Sequence, residues 1–161
     1  MPRIEGEVRI TPSVLDRLVD DEPQVSSEPP MSRPKSLRQL KDAVRRDLEW
    51  LLNTRQLVDK IPEGLKEVRQ SLAAYGLPDF TATGVKSPRD QERVRRVIQV
   101  AIELFEPRLK DVSVTVHPGR DFERSLHFRI DASLQVEPAP EPVVFDTALE
   151  ILSSEFQVQG E

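Results

Sequence analysis

Few residues in this chain could carry chemistry. It has two histidines, His117 and His127, and no cysteine. Disulfides, thiolate metal sites and cysteine nucleophiles are therefore excluded, and a histidine metal site would need both rings plus carboxylates. The two histidines occupy polar positions of two alternating segments, where they can be neighbours across a hairpin; a solvated sheet face accounts for them. There is no H-E-x-x-H, no Gly-rich phosphate loop and no serine in a nucleophile-elbow context. Glu103 and Glu106 are three apart at the end of a helical pattern, so they are expected on one side of it, and Asp111 follows. Two carboxyls roughly 5–9.5 Å apart are what a glycosidase needs. Such an enzyme also needs a cleft and an aromatic floor, and aromatics are only 5% of this chain, which argues against it. The segment Ile102-Glu103-Leu104-Phe105-Glu106-Pro107-Arg108-Leu109 has two readings. In the first, Pro107 stops the helix and Arg108 bonds its free carbonyls at the negative end of the dipole. In the second, Glu106 and Arg108 splay either side of a rigid proline and form a fixed two-charge plug for a partner.

Several elements must position these residues. Val14, Leu15, Leu18 and Val19 recur at helical spacing in an amino-terminal segment too short to be stable alone. Residues 20–35 are rich in proline and acids and read as a flexible linker, so residues 1–35 form an arm and 36–161 one domain. Ser36 with Gln39 is a capping-box pattern, followed by the stripe Leu37, Leu40, Val44, Leu48 and Leu51 up to Asn53. Trp50 lies off the centre of that stripe, and packing at the edge of the core is expected ahead of a partner contact. A short helix carries Leu65, Val68, Leu72 and Ala73 on one side and ends at Tyr75-Gly76-Leu77-Pro78, with Gly76 left-handed; a loop runs from Asp79 to Lys86. Ser87-Pro88-Arg89-Asp90 starts the strongest helix, with Val94, Val97, Ile98, Ala101, Ile102 and Phe105 inward and Arg89, Arg93, Arg95 and Arg96 outward.

The period then changes from 3.6 to 2. Val112, Val114 and Val116 form a strand, Pro118 to Asp121 a turn, and Leu126 to Val136 a second strand. Glu137 to Pro142 is a turn, Phe145 to Ile151 a third strand, and Phe156 and Val158 a short fourth. The fold class is α+β: amino-terminal helices on one face of a three- to four-stranded, mainly antiparallel sheet. With 23 basic against 28 acidic residues the net charge is −5, which argues against binding nucleic acid through bulk positive charge. After Arg129 there is no Lys or Arg, so the last strands are negative and suited to steering a basic partner. No apolar run reaches the ~18–20 residues that span a bilayer, and no signal peptide opens the chain.

Four segments, in order, carry a family resemblance: Pro12 to Leu18, Asp47 to Arg55, Tyr75 to Phe80, and Glu106-Pro107-Arg108-Leu109. Together they resemble TssE, the baseplate subunit of bacterial type VI secretion systems. That family is similar to the small baseplate wedge protein of contractile-tailed phages and was once labelled lysozyme-like. The resemblance implies a cytoplasmic, non-enzymatic structural component with no cofactor. It implies that Glu106, Pro107 and Arg108 seat the chain on the core bundle of the other wedge subunits (TssF, TssG, TssK). It also implies that a sheet edge starts polymerisation of the contractile sheath (TssB, TssC). The alternatives are a peptidoglycan hydrolase and an anti-adaptor regulatory protein of the same fold.

Overall fold

A computed structural model describes residues 10, 12–18, 24, 32–58, 61–62, 64–79, 87–117, 125–150, 153 and 155–160. Most of the expected linker, the loop from Phe80 to Lys86, the turn from Pro118 to Asp121, and Val19 and Ile151 lie outside the described residues. The elements are α1 (Val14–Leu18), α2 (Arg33–Asn53), α3 (Lys66–Arg69), a 3-10 turn (Leu72–Ala74), α4 (Pro88–Phe105), β1 (Leu109–His117), β2 (Ser125–Leu134), β3 (Glu141–Glu150) and β4 (Glu155–Gly160). The strands form one antiparallel sheet in the order β1-β2-β3-β4, so the architecture is α+β. α2 packs along β4 and α4 along β1. The core joins Val44, Leu48, Leu51 and Leu52 of α2 and Val94, Ile98, Ala101 and Ile102 of α4 to the apolar strand face. His117 and His127 are direct register partners, as their positions in the alternation implied.

Several details differ from the sequence reading, among them the end of β2, which stops at Leu134 before the expected Val136. α2 starts at Arg33, after Ser32, not at Ser36. Pro34 is compatible with a first helical turn, where its missing N–H has no intrahelical partner to lose. The Ser36 hydroxyl instead donates back to the Ser32 carbonyl at 3.2 Å. The helix expected over residues 65–73 is one α turn followed by a 3-10 turn, and Leu72 is exposed. Trp50 is 55% exposed, with the Arg46 guanidinium 5.5 Å from its ring centroid. β3 begins at Glu141, so it absorbs the end of the expected turn.

β1 begins earlier than expected because of a bulge. Its register shifts by one residue between Lys110 and Ser113, and Asp111 takes a positive φ of 53°. Asp tolerates that region better than most residues. The extra residue changes the phase of the alternation, so Leu109 and Val112 both face the core. Gly76 has φ 102°, and a Cβ there would sit 2.3 Å from the Thr54 carbonyl oxygen. This close approach allows a parallel bridge between Arg55 and Leu77, with N–H···O bonds of 2.8 Å (Leu77 to Thr54) and 2.9 Å (Gln56 to Leu77).

Both edges of the sheet are tied to helices by side chains. The Asn53 amide donates to the Phe156 carbonyl at 2.9 Å and accepts from the Phe156 N–H at 2.8 Å. Arg45 donates to the Val158 carbonyl at 3.4 Å. On the opposite edge, Arg95 donates to the Val114 carbonyl at 3.2 Å. Such contacts blunt edges that would otherwise recruit stray strands. Asn53→Ala removes both bonds to Phe156 and is expected to cost about 2 kcal/mol in urea unfolding, with faster amide exchange confined to β4; unchanged exchange there would show that Asn53 does not hold the edge.

Candidate functional site

The corner after α4 is built by a turn. Glu106 ends the helix, its N–H donating to the Ile102 carbonyl at 2.9 Å. Pro107 follows, and the Leu109 N–H returns to the Glu106 carbonyl at 3.1 Å. Proline suits the second position of such a turn because its φ is already set. The Gln135 N–H donates to the Arg108 carbonyl at 2.8 Å, which fastens the turn to the end of β2.

Glu106 and Arg108 do not splay. They face one another, and Glu106 is buried at 4% exposure while Pro107 is exposed. Arg108 Nε donates to Glu106 Oε1 at 2.6 Å, and its Nη2 bonds both Glu106 Oε2 and, at 2.6 Å, Asp47 Oδ2. The Arg108 N–H also donates to Glu106 Oε1 at 3.2 Å. The first reading of Arg108 is corrected too: its partners are carboxylates, not the free carbonyls of α4. A buried carboxylate two residues away is the stronger attractor for a guanidinium. Nη1 has no bond among the described residues, so its two N–H groups are available on a side chain that is 25% exposed. Hydrogen bonds from Glu106 first, and then the Asp47 contact, hold the guanidinium pKa above its ordinary value against the opposing effect of burial.

The chain of charges continues. Asp47 Oδ1 accepts from Arg46 Nε at 3.2 Å and Nη2 at 3.0 Å. Arg46 Nη2 also donates to Asp16 Oδ1 at 2.7 Å. Asp16 in turn accepts from the Ser13 hydroxyl at 2.6 Å and donates its own N–H back to it at 3.2 Å. Ser87 and Asp90 repeat that cap at the start of α4. Burial pushes the Asp16 carboxyl up, but the hydrogen bonds from Ser13 and Arg46 and the Arg46 charge together hold it below the usual range. α1 buries none of its residues; this ion pair is what ties it to α2.

Tyr75 completes the site. It packs edge-on against Phe105 with centroids 5.3 Å apart. Burial, then the charges of Asp47 and Glu106, raise its pKa above 10.0. The corner therefore draws on all the segments that carry the family resemblance, with Gly76 and Leu77 holding the third against the end of the second.

The other expected residues lie apart from this corner. Glu103 is exposed on α4, accepting from Gln99 Nε2 at 3.0 Å. Glu106, the cap residue after α4, is instead buried against Arg108, so the two carboxyls have different surroundings. The His117–His127 pair lies on the outer sheet face with the Ser125 hydroxyl 3.2 Å from His127 Nε2. Among the described residues no group of three or more His, Cys, Asp or Glu could hold a metal ion, and no helix is long and apolar enough to cross a membrane. Sequence reasoning missed Asp47, Arg46, Asp16 and Tyr75 as members of the site. A signal existed for one: Ser13-Val14-Leu15-Asp16 has the same cap spacing as Ser87 to Asp90.

Two titrations test this geometry. The chain has one tyrosine, so its tyrosinate absorbance reports Tyr75 alone. Half-ionisation is expected above pH 10.0, moving down in Asp47→Asn. The unfolded chain ionises first, so Tyr75's contribution to stability is present below that pH and lost as pH rises towards the folded value. Asp16 has the opposite sign. Its depressed pKa stabilises α1 docking above 3.8, and that contribution is lost as pH falls through the lower folded value. Trp50 fluorescence, which senses Arg46, is expected to change over that acid window in the native chain and not in Asp16→Asn.

No curated protein matches the chain. Its sequence does match the family described as baseplate wedge protein gp25 over residues 38–139, more than half of its length and inclusive of Asp47, Tyr75, Glu106, Pro107 and Arg108. Helices leading into an antiparallel sheet, with the charged turn between them, thus belong to a chain that is a member of the baseplate wedge protein gp25 family.

Proposed function

We propose that this baseplate wedge protein is the TssE-type subunit of a type VI secretion system. In this reading it seats on the helical core bundle of the other wedge subunits, TssF and TssG with TssK, through Glu106, Pro107 and Arg108. Its sheet then offers an edge from which the TssB–TssC sheath polymerises. The segment ahead of α2 acts as an amino-terminal arm, its α1 tied to the domain through Asp16 and Arg46. The assembly works in the cytoplasm against a membrane-docked baseplate, without catalysis or a cofactor.

The observation that carries this reading is the division of labour in the turn. Glu106 and Asp47 fix the guanidinium of Arg108, Pro107 is exposed beside it, and the two Nη1 N–H groups are left for an acceptor. A preorganised donor beside a rigid apolar ring loses little entropy when a partner docks. Against hydrolysis stands Glu106 itself, whose oxygens are occupied by Arg108 beneath the surface.

Arg108→Glu is expected to abolish co-purification with the wedge partners while leaving the far-UV spectrum intact. That variant gathers three carboxylates, so Pro107→Ala, which removes the exposed ring and leaves every charge in place, is the companion: it too should weaken binding of the partners. Normal binding by both would sink the corner as the docking site. No turnover of peptidoglycan is expected; muralytic activity that disappears in Glu103→Gln or Glu106→Gln would favour the hydrolase instead.

A further inference from the structure

We propose that the outer ridge of α4, from Arg89 to Leu104, is a docking surface for an acidic amphipathic helix of a partner protein. The surface is separate from the Arg108 corner and goes beyond the wedge docking proposed there. The inward side of α4 is complete: Val94, Ile98, Ala101 and Ile102 are each at most 5% exposed. On the outward side Arg89, Arg93, Arg96, Val100 and Leu104 are all exposed, with Glu103 flanking the last two. They follow one another by three or four residues, so they lie in one line along a helix. At 1.5 Å per residue that line is a straight ridge about 22 Å long.

The carboxyl-terminal part of the ridge is apolar. Val100 is 59% exposed and Leu104 38%. They are one turn apart, where side chains adjoin. Neither belongs to the core, and a β-branched residue loses rotamer freedom in a helix, so the stability of α4 does not call for Val100. Two adjoining apolar side chains at this spacing are the anchor against which a second helix lays its own apolar face.

The amino-terminal part is cationic, and the acids of α4 leave it so. Asp90 caps the helix, accepting from the Ser87 hydroxyl at 2.6 Å. Glu92 accepts from Arg95 Nε at 2.8 Å and from Arg96 Nε at 2.9 Å. Those bonds, that from Arg95 first, hold its carboxyl down to about 2. Arg95 is turned towards Gln99 and the Val114 carbonyl, while 72% of the Arg96 side chain stays exposed. Arg89 and Arg93 form no ion pair among the described residues. Two unpaired guanidiniums one turn apart match two carboxylates one turn apart on a second helix. The chain as a whole has a net charge of −5, so this attraction is local to the ridge. Acids early in the second helix also suit its own dipole. The two helices then run parallel, with later apolar residues of the partner on Val100 and Leu104 and a base beside Glu103. A phosphate backbone would find no use for the apolar pair, and two free cations would hold it weakly.

The test is fluorescence anisotropy with the full chain and a fluorescein-labelled helical peptide. On a background of Ala and Gln the peptide carries two Glu one turn apart and, two turns further on, two Leu one turn apart. Saturable binding is expected, weakened by salt and lost when Lys replaces Glu or Ser replaces Leu. Arg89→Glu with Arg93→Glu, and separately Val100→Glu with Leu104→Glu, should each weaken it about tenfold or more. All four positions are exposed, so the far-UV spectrum should not change. Arg108→Glu should leave peptide binding as it is, so failure here is distinguishable from failure of the proposed wedge docking. Absence of saturable binding, equal binding of the Lys peptide, or indifference to both ridge variants overturns the proposal. Tighter binding of a single-stranded oligonucleotide or of phosphatidylserine vesicles, lost in Arg89→Glu with Arg93→Glu, overturns it in favour of that occupant. So does concentration-dependent dimerisation abolished by Val100→Glu with Leu104→Glu, which would make a second copy of the chain the occupant.

Discussion

The guanidinium of Arg108 is the point on which the amino-terminal half of this molecule is aligned with its sheet. It sits between a carboxylate at the end of α4 and one on α2, and charges then alternate in sign through Arg46 to Asp16 on α1. Segments far apart in the sequence thus meet in one network. Its contribution to net stability is small in principle, since desolvating ions offsets most of their attraction. Breaking it is another matter. Glu106, with 6% of its side chain exposed, cannot recover its hydration if Arg108 is removed, and orphaned buried charges cost about 3–5 kcal/mol. The network is therefore better explained as a device that fixes geometry than as one that adds stability.

The sheet shows a parallel economy of polar groups. Asn53, Arg45 and Arg95 each reach from a helix to an outward-facing backbone group on an edge strand. A sheet that is to gain strands only in assembly must keep its edges quiet beforehand, and long side chains are removable covers in a way that a strand is not. The proposed sheath contact would displace such covers or use the stretches they leave open.

Much of this fold was legible because it rests on local periodicity. Alternation from Leu126 to Leu134 in β2 and the proline-led start of α4 needed only neighbouring residues, and both are observed, although β2 stops short of Val136. The start of α2 was misplaced because Ser36 and Gln39 imitate a cap that Ser32 and Pro34 pre-empt. Trp50 was expected at the core edge, yet the stripe of α2 is already filled by Leu48, Leu51 and Leu52. The site was half legible. The turn at Pro107 follows from proline stereochemistry, but the partner of Arg108 is Asp47, 61 positions away, and no periodicity reports such a pair. Only the resemblance had placed the two segments in one set, without saying that they touch.

The geometry of the turn also constrains what could dock on it. Two carboxyl groups, Glu106 and Asp47, share one guanidinium, so acids outnumber bases at the immediate corner, with Arg46 beyond Asp47. A carboxylate brought to Arg108 would meet two others already within bonding distance of it. The remaining Nη1 donors are matched instead by neutral acceptors, such as the free carbonyls at a helix carboxyl terminus, where unsatisfied C=O groups are plentiful. In the proposed docking their partial negative charge would be tolerated where a full one is not, and the exposed Pro107 ring would supply the apolar contact beside them. In that proposal the acid, the proline and the base are unequal members of the motif: Glu106 orients Arg108, Pro107 would pack and Arg108 would donate. Their spacing follows from the turn, which brings the first and third residues onto the same side.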